Sequence, residues 1–150
     1  MNLGDAQAWF TAGAIVVMVG GAGHMVLALV DTVRPTYFAP VETSVKPEME
    51  ATGIRLVPMI GGRNAEPSMW RVWLGINIGI GLGALTVGLL CLFIAAHDFN
   101  MVEQTSAIRL LTLGFSIGFL VLSLRFWFSL PAFFSAGATA CFAVAMVLST

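Results

Sequence analysis

The chain has 150 residues, of which 58% are hydrophobic and 10% charged, and its net charge is -1 at pH 7. Its mean hydropathy is +0.91. Soluble domains carry about 25% charged residues, so a water-soluble fold would leave large apolar surfaces facing solvent. The near-neutral balance gives no basic face for nucleic acid, and the length fits one compact domain.

Four long apolar stretches fill the chain, from Ala8 to Val30, Met69 to Ala96, Ser106 to Leu124 and Trp127 to Leu148. Crossing about 30 Å of hydrocarbon takes about 20 mostly apolar residues. The pattern predicts an all-α integral membrane four-helix bundle, with residues 1–150 as a single membrane domain and the lipid bilayer as its first partner. In the first stretch, Asp5 is the only charge ahead of the apolar run, and no A-x-A-like site closes it. It therefore reads as a retained helix rather than a signal peptide. Gly13, Val17, Gly20 and His24 share one face of it, which directs His24 into protein.

The hydrophilic segment 31–68 follows and holds five of the six prolines. Asp31 and Arg34, three apart, are placed to pair. Val45 to Ala51 predicts a short interfacial helix, and Ile54 to Ile60 is apolar enough to touch the headgroup region. Gly61-Gly62 makes a turn, Asn64 caps the second span and Pro67 suits its first turn. The connection His97 to Thr105 is short. The last connection is a tight turn near Arg125, and Pro131 fits the opening of the fourth span.

Basic residues set orientation. The first and third connections share one side by the parity of the spans and hold Arg34, Lys46, Arg55, Arg63 and Arg125, with Arg71 at the same face. The other side has Arg109. Both termini are expected outside and the 31–68 loop in the cytoplasm. Trp9, Trp70, Trp73 and Trp127 lie near span ends, as in an aromatic belt. Cys91 and Cys141 fall at similar depth, where a bridge is conceivable and free thiols are the commoner outcome.

The second span carries a tandem G-x-x-x-G ladder, Gly75, Gly79 and Gly83. At about 100° per residue these glycines stay on one narrow face, with Thr86 beside them. Asn77, Gly81, Ala84 and Gly88 line the opposite face. Small residues let helix backbones approach where lipid supplies no hydrophobic drive. Two small faces call for neighbours on two sides, one within the chain and one across an oligomer or partner. Gly114 and Gly118 repeat the spacing on the third span.

Ionisable groups at membrane depth are costly and face protein. Threading places His24 near Asn77, Asp31 and Arg125 at one end of the bundle. These four define a possible polar pocket, able to bind a lipid headgroup or relay a proton. The simpler reading is an interhelical His–Asn hydrogen bond with interfacial charges that set depth. No catalytic residues are assigned. No Cys/His spacing suits zinc, and no phosphate loop, G-x-S-x-G or H-E-x-x-H is present. His97 lies at the opposite face from His24, so the two do not sandwich a haem. No cofactor or metal is expected.

Gly23-His24, Thr36-Tyr37-Phe38, Trp70, Trp73 and the run from Gly75 to Gly83 resemble small four-span bacterial membrane proteins of the uncharacterised, broadly DoxX-like kind. The resemblance covers about the first two-thirds of the chain. It implies a bacterial inner-membrane location and carries no catalytic residues. Arg63-Asn64-Ala65-Glu66 is also similar to the basic–Asn–Glu motif of the membrane glutathione-transferase-like family. There those residues are spaced along a helix that holds the thiol cofactor, whereas here they crowd ahead of Pro67. The expectation is a non-enzymatic accessory or assembly subunit of a membrane complex, or a lipid-binding bundle, with other membrane subunits or further copies as partners. The alternatives are a membrane enzyme acting on a hydrophobic substrate and a small oligomeric transporter.

Overall fold

The computed structural model describes residues 3–54 and 67–149. The helices are α1 (Leu3–Asp31), α2 (Val45–Ala51), α3 (Met69–His97), α4 (Phe99–Gln104), α5 (Ser106–Phe126) and α6 (Ser129–Leu148). The chain is an all-α four-helix membrane bundle, whose four spans are Gly4–Asp31, Met69–His97, Ser106–Phe126 and Ser129–Leu148. The expected Gly61-Gly62 turn, the Asn64 cap, the apolar run up to Ile60 and the Arg63–Glu66 motif lie outside the described residues.

α1 and α3 each have 29 residues. At about 1.5 Å per residue each is about 44 Å long, well beyond a hydrocarbon core of about 30 Å. Their ends therefore reach the polar zone, which is where Asp5, Asp31, Arg71 and His97 lie. Asp5 sits in the first turn of α1, where a carboxylate favours the positive end of the helix dipole. α5 and α6, with 21 and 20 residues, match the hydrocarbon alone. α5 outlasts its expected end by two residues, because the Trp127 N–H bonds the Ser123 carbonyl at 3.2 Å and closes one more turn. Pro47 and Pro131 are each the third residue of their helix, where the missing N–H has no intrahelical partner to lose. The His97–Thr105 connection contains α4, which the sequence did not announce.

The chain divides into two compact units, Met1–Ala22 with Leu82–Thr150, and Gly23–Gly81. In the first, Phe10 is buried with its ring edge-to-face on Phe99 (5.9 Å) and Phe142 (5.4 Å). Ala14, Cys91, Ala95, Val102, Ala138 and Ala145 complete that core. α5 turns Thr112, Ser116 and Ser123 inward. Each hydroxyl donates to a carbonyl one turn back, at 3.0, 2.9 and 2.7 Å respectively. A buried hydroxyl satisfied within its own helix carries little desolvation cost. Both cysteines are free thiols.

The glycines of α3 separate by face. A Cβ on Gly88 would lie 2.5 Å from the Met18 nitrogen, and one on Gly81 would lie 2.6 Å from the Met25 nitrogen. Gly21 of α1 meets the Ala84 and Leu85 backbone as closely. The backbones of α1 and α3 thus touch along the Gly81–Gly88 face. Around Gly75, Gly79, Gly83, Gly114 and Gly118 nothing stands within 4 Å of a built Cβ. The tandem ladder faces outward, and within the chain it packs against none of the described residues.

Replacing Gly81 or Gly88 by alanine is expected to destabilise the fold by about 1–3 kcal/mol, since the added methyl meets backbone that cannot rotate away. Alanine's helix propensity returns at most about 1 kcal/mol. Gly79→Ala is expected to leave stability unchanged or slightly raised. Equilibrium unfolding in mixed detergent micelles, followed by circular dichroism, measures both.

Candidate functional site

The site is built in the Gly23–Gly81 unit around the end of α1. Asp31 is its last residue and is fully buried. Its Oδ1 accepts the backbone N–H groups of Thr36 and Tyr37, both at 2.9 Å, and its Oδ2 accepts Tyr37 at 3.1 Å and Phe38 at 2.6 Å. Chain leaving a helix inside or near a bilayer must find partners for its amides. Here one carboxylate takes three of them, folding residues 32–38 back over the helix end. The pairing expected from sequence, Asp31 with Arg34, does not occur. Among the described residues no salt bridge joins them, because three charge-assisted amide bonds already occupy the carboxylate.

That turn delivers Phe38. Its ring lies 4.8 Å from the His24 imidazole, and its carbonyl accepts the Trp73 indole N–H at 3.0 Å. Asn77 is buried, donates its Nδ2 to the Trp73 carbonyl at 2.9 Å and hydrogen-bonds the His24 side chain. The contacts close a ring: Asp31 fixes Phe38, Phe38 covers His24 and holds Trp73, and Asn77 joins Trp73 back to His24. A half-buried imidazole is thereby held between an amide and an aromatic face, with a carboxylate anchoring the cover.

Of the four residues expected to share a pocket, His24, Asn77 and Asp31 belong to this network. Arg125 belongs to the other unit, exposed in the last turn of α5, where its charge complements the helix dipole. Phe38 and Trp73 were not anticipated as site residues. Trp73 has the position of a membrane-belt residue, and its sequence carries no sign that the indole N–H reaches back to the loop. The cluster Pro35-Thr36-Tyr37-Phe38, two adjacent aromatics one residue beyond a proline, is the one local hint that the loop returns to protein.

Two further contacts hold the loop against α3. Gly53 and Ser68 form an antiparallel bridge, with the Ile54 N–H on the Pro67 carbonyl at 2.9 Å and the Met69 N–H on the Thr52 carbonyl at 2.8 Å. Lys46 of α2 pairs with Glu50 and holds its Nζ 5.5 Å from the Trp70 ring centre. Trp70 is itself buried, not displayed in an aromatic belt. Among the described residues no three of His, Cys, Asp and Glu assemble as a metal-ligand set. No family model, curated protein or solved structure matches this chain.

Replacing Asp31 by alanine strands three amides together and is expected to cost about 1–3 kcal/mol. Hydrogen exchange should accelerate first at Thr36, Tyr37 and Phe38. Exchange at those amides unchanged from wild type would contradict the carboxylate's role as the anchor.

Proposed function

We propose that this small multi-pass membrane protein is a non-enzymatic accessory or assembly subunit, holding a partner's transmembrane helix on the Gly75–Gly79–Gly83 face of α3. The observation that carries the reading is the contrast between the two faces of that helix. Gly81 and Gly88 are consumed by contact with α1, whereas the ladder is exposed with nothing near it. A glycine inside a helix costs about 1 kcal/mol relative to alanine. Three at four-residue spacing therefore cost about 3 kcal/mol with no compensating contact among the described residues. Close approach of a second helix supplies that compensation, because G-x-x-x-G spacing admits backbone-to-backbone packing in lipid. Gly114 and Gly118 of α5 offer a second, shorter face of the same kind.

The excess of arginine and lysine on the first and third connections supports a cytoplasmic 31–68 loop with both termini outside. The resemblance to small four-span bacterial proteins supports a bacterial inner membrane.

Native mass spectrometry of the protein extracted gently from its host membrane tests the assignment. The expected result is a stoichiometric complex, with another subunit or with further copies, that Gly79→Leu abolishes while helicity and thermal stability stay at wild-type levels. A lone chain in the wild-type extract, or a complex indifferent to Gly79→Leu and Gly83→Leu, overturns it.

A further inference from the structure

We propose that the turn between α5 and α6 docks into the headgroup layer of phospholipids, with its aromatic side chains among the upper acyl chains and the Arg125 guanidinium on a lipid phosphate. The inference is independent of the Gly75–Gly79–Gly83 face and concerns only the unit that holds both helices.

Trp127 and Phe128 alone join the two spans. The chain does not turn polar there. Arg125 is followed by Phe126, Trp127 and Phe128, then by Leu130 and Pro131, with Ser129 as the single polar residue of the stretch. Phe126, Phe128, Leu130 and Phe133 are all exposed. A cluster of exposed aromatic and aliphatic side chains at the tip of a hairpin is unfavourable in water.

The hydrocarbon suits the turn no better. The N-cap of α6 is Phe128, whose side chain makes no capping bond, and the helix has no carbonyl to offer the Ser129 and Leu130 amides. Bare amides and a guanidinium are both costly at the depth of the acyl chains. The headgroup layer satisfies both demands, and the helix lengths lead to it. α5 and α6 each rise about 30 Å, the thickness of the hydrocarbon, so a hairpin that crosses once each way puts its turn at the boundary.

The distribution of exposure favours lipid over a partner helix. Leu124 and Phe126 lie about 200° apart around α5, yet they are 71% and 72% exposed. One docked helix covers one side of the tip, whereas lipid surrounds it. Arg125 is exposed on the same tip, where its stem can lie along apolar surface with its head at the phosphate. Trp127 packs edge-to-face on Phe119 at 5.8 Å, which holds the turn against α5.

The test uses the full chain in dioleoylphosphatidylcholine nanodiscs, carrying Cys91→Ala and Cys141→Ala. A bimane fluorophore is placed on Ser129→Cys or, as a reference in the exposed part of the 31–68 segment, on Thr43→Cys. Aqueous iodide is expected to quench the Ser129 label at most about a third as strongly as the Thr43 label, and a headgroup-nitroxide lipid at least about threefold more strongly. Phe126→Ser combined with Phe128→Ser is expected to raise iodide quenching at Ser129 about threefold, as the turn lifts into water with helicity unchanged. Arg125→Leu is expected to let the turn sink, so that the ratio of mid-chain to headgroup nitroxide quenching rises about twofold, and Arg125→Lys to keep the wild-type ratio. Iodide quenching as strong at Ser129 as at Thr43 places the turn in water and overturns the proposal. So does a Ser129 label that neither iodide nor nitroxide lipid reaches, which puts protein over the tip, and so does a ratio indifferent to Arg125→Leu.

Discussion

The close approach of α1 and α3 is the constraint on which the rest of the molecule depends. Where Gly81 meets Met25, the backbones are nearer than any residue with a side chain permits. Asn77 lies one turn before Gly81, and His24 directly precedes Met25. The glycine contact therefore sets the distance at which the amide reaches the imidazole. A wider separation would leave Asn77 unable to bond both His24 and its own helix carbonyl. The polar pair is thus a consequence of a packing choice, and glycine at position 81 is part of the site although it has no functional group.

The loop then answers a problem that the helix creates. At the C-terminal end of α1 the Leu29 and Val30 carbonyls accept the amides of Thr32, Val33 and Arg34, and the amides of Thr36, Tyr37 and Phe38 beyond them still need partners. A water-soluble protein leaves such groups to solvent. At a membrane face this protein supplies a carboxylate from the helix's own last residue, takes up three amides with it and turns the chain back. The turn is useful beyond satisfying the backbone, because it places Phe38 over His24 and its carbonyl under the Trp73 indole. Anchor, cover and imidazole lie within fifteen residues of sequence, and α3 supplies the remaining two members of the ring.

The spans were legible in sequence because hydropathy over about 20 residues is a local property. The helix Val45–Ala51 was legible too, and so was the meeting of His24 with Asn77, through the threading of spans and the helical period. Three features were not. The sequence shows two small faces on α3 and gives no means of saying which one α1 occupies, because both have the same period. Asp31 next to Arg34 reads as an ion pair, and only the fold reveals that three amides reach the carboxylate first. Trp70 and Trp73 look alike as belt residues, yet one is buried beneath Lys46 and the other bonds the loop. In each case the deciding term is a tertiary contact competing with a plausible local one, and the local pattern holds no information about the competitor.

α3 thereby serves two ends with one spacing rule. Its buried face uses glycine to bring a backbone in, and its outer face repeats the same residue where none of the described residues brings one. Lipid tails gain nothing from a glycine groove that they would not gain from alanine, since their packing adapts to either surface. A groove kept at a cost in helix stability, on the outward side of the helix that already organises the interior, is better matched to a rigid neighbour than to a fluid one. The same helix carries Asn77 towards one polar end and His97 towards the other. A helix docked on the Gly75–Gly79 stretch would sit against the same part of α3 that positions Asn77.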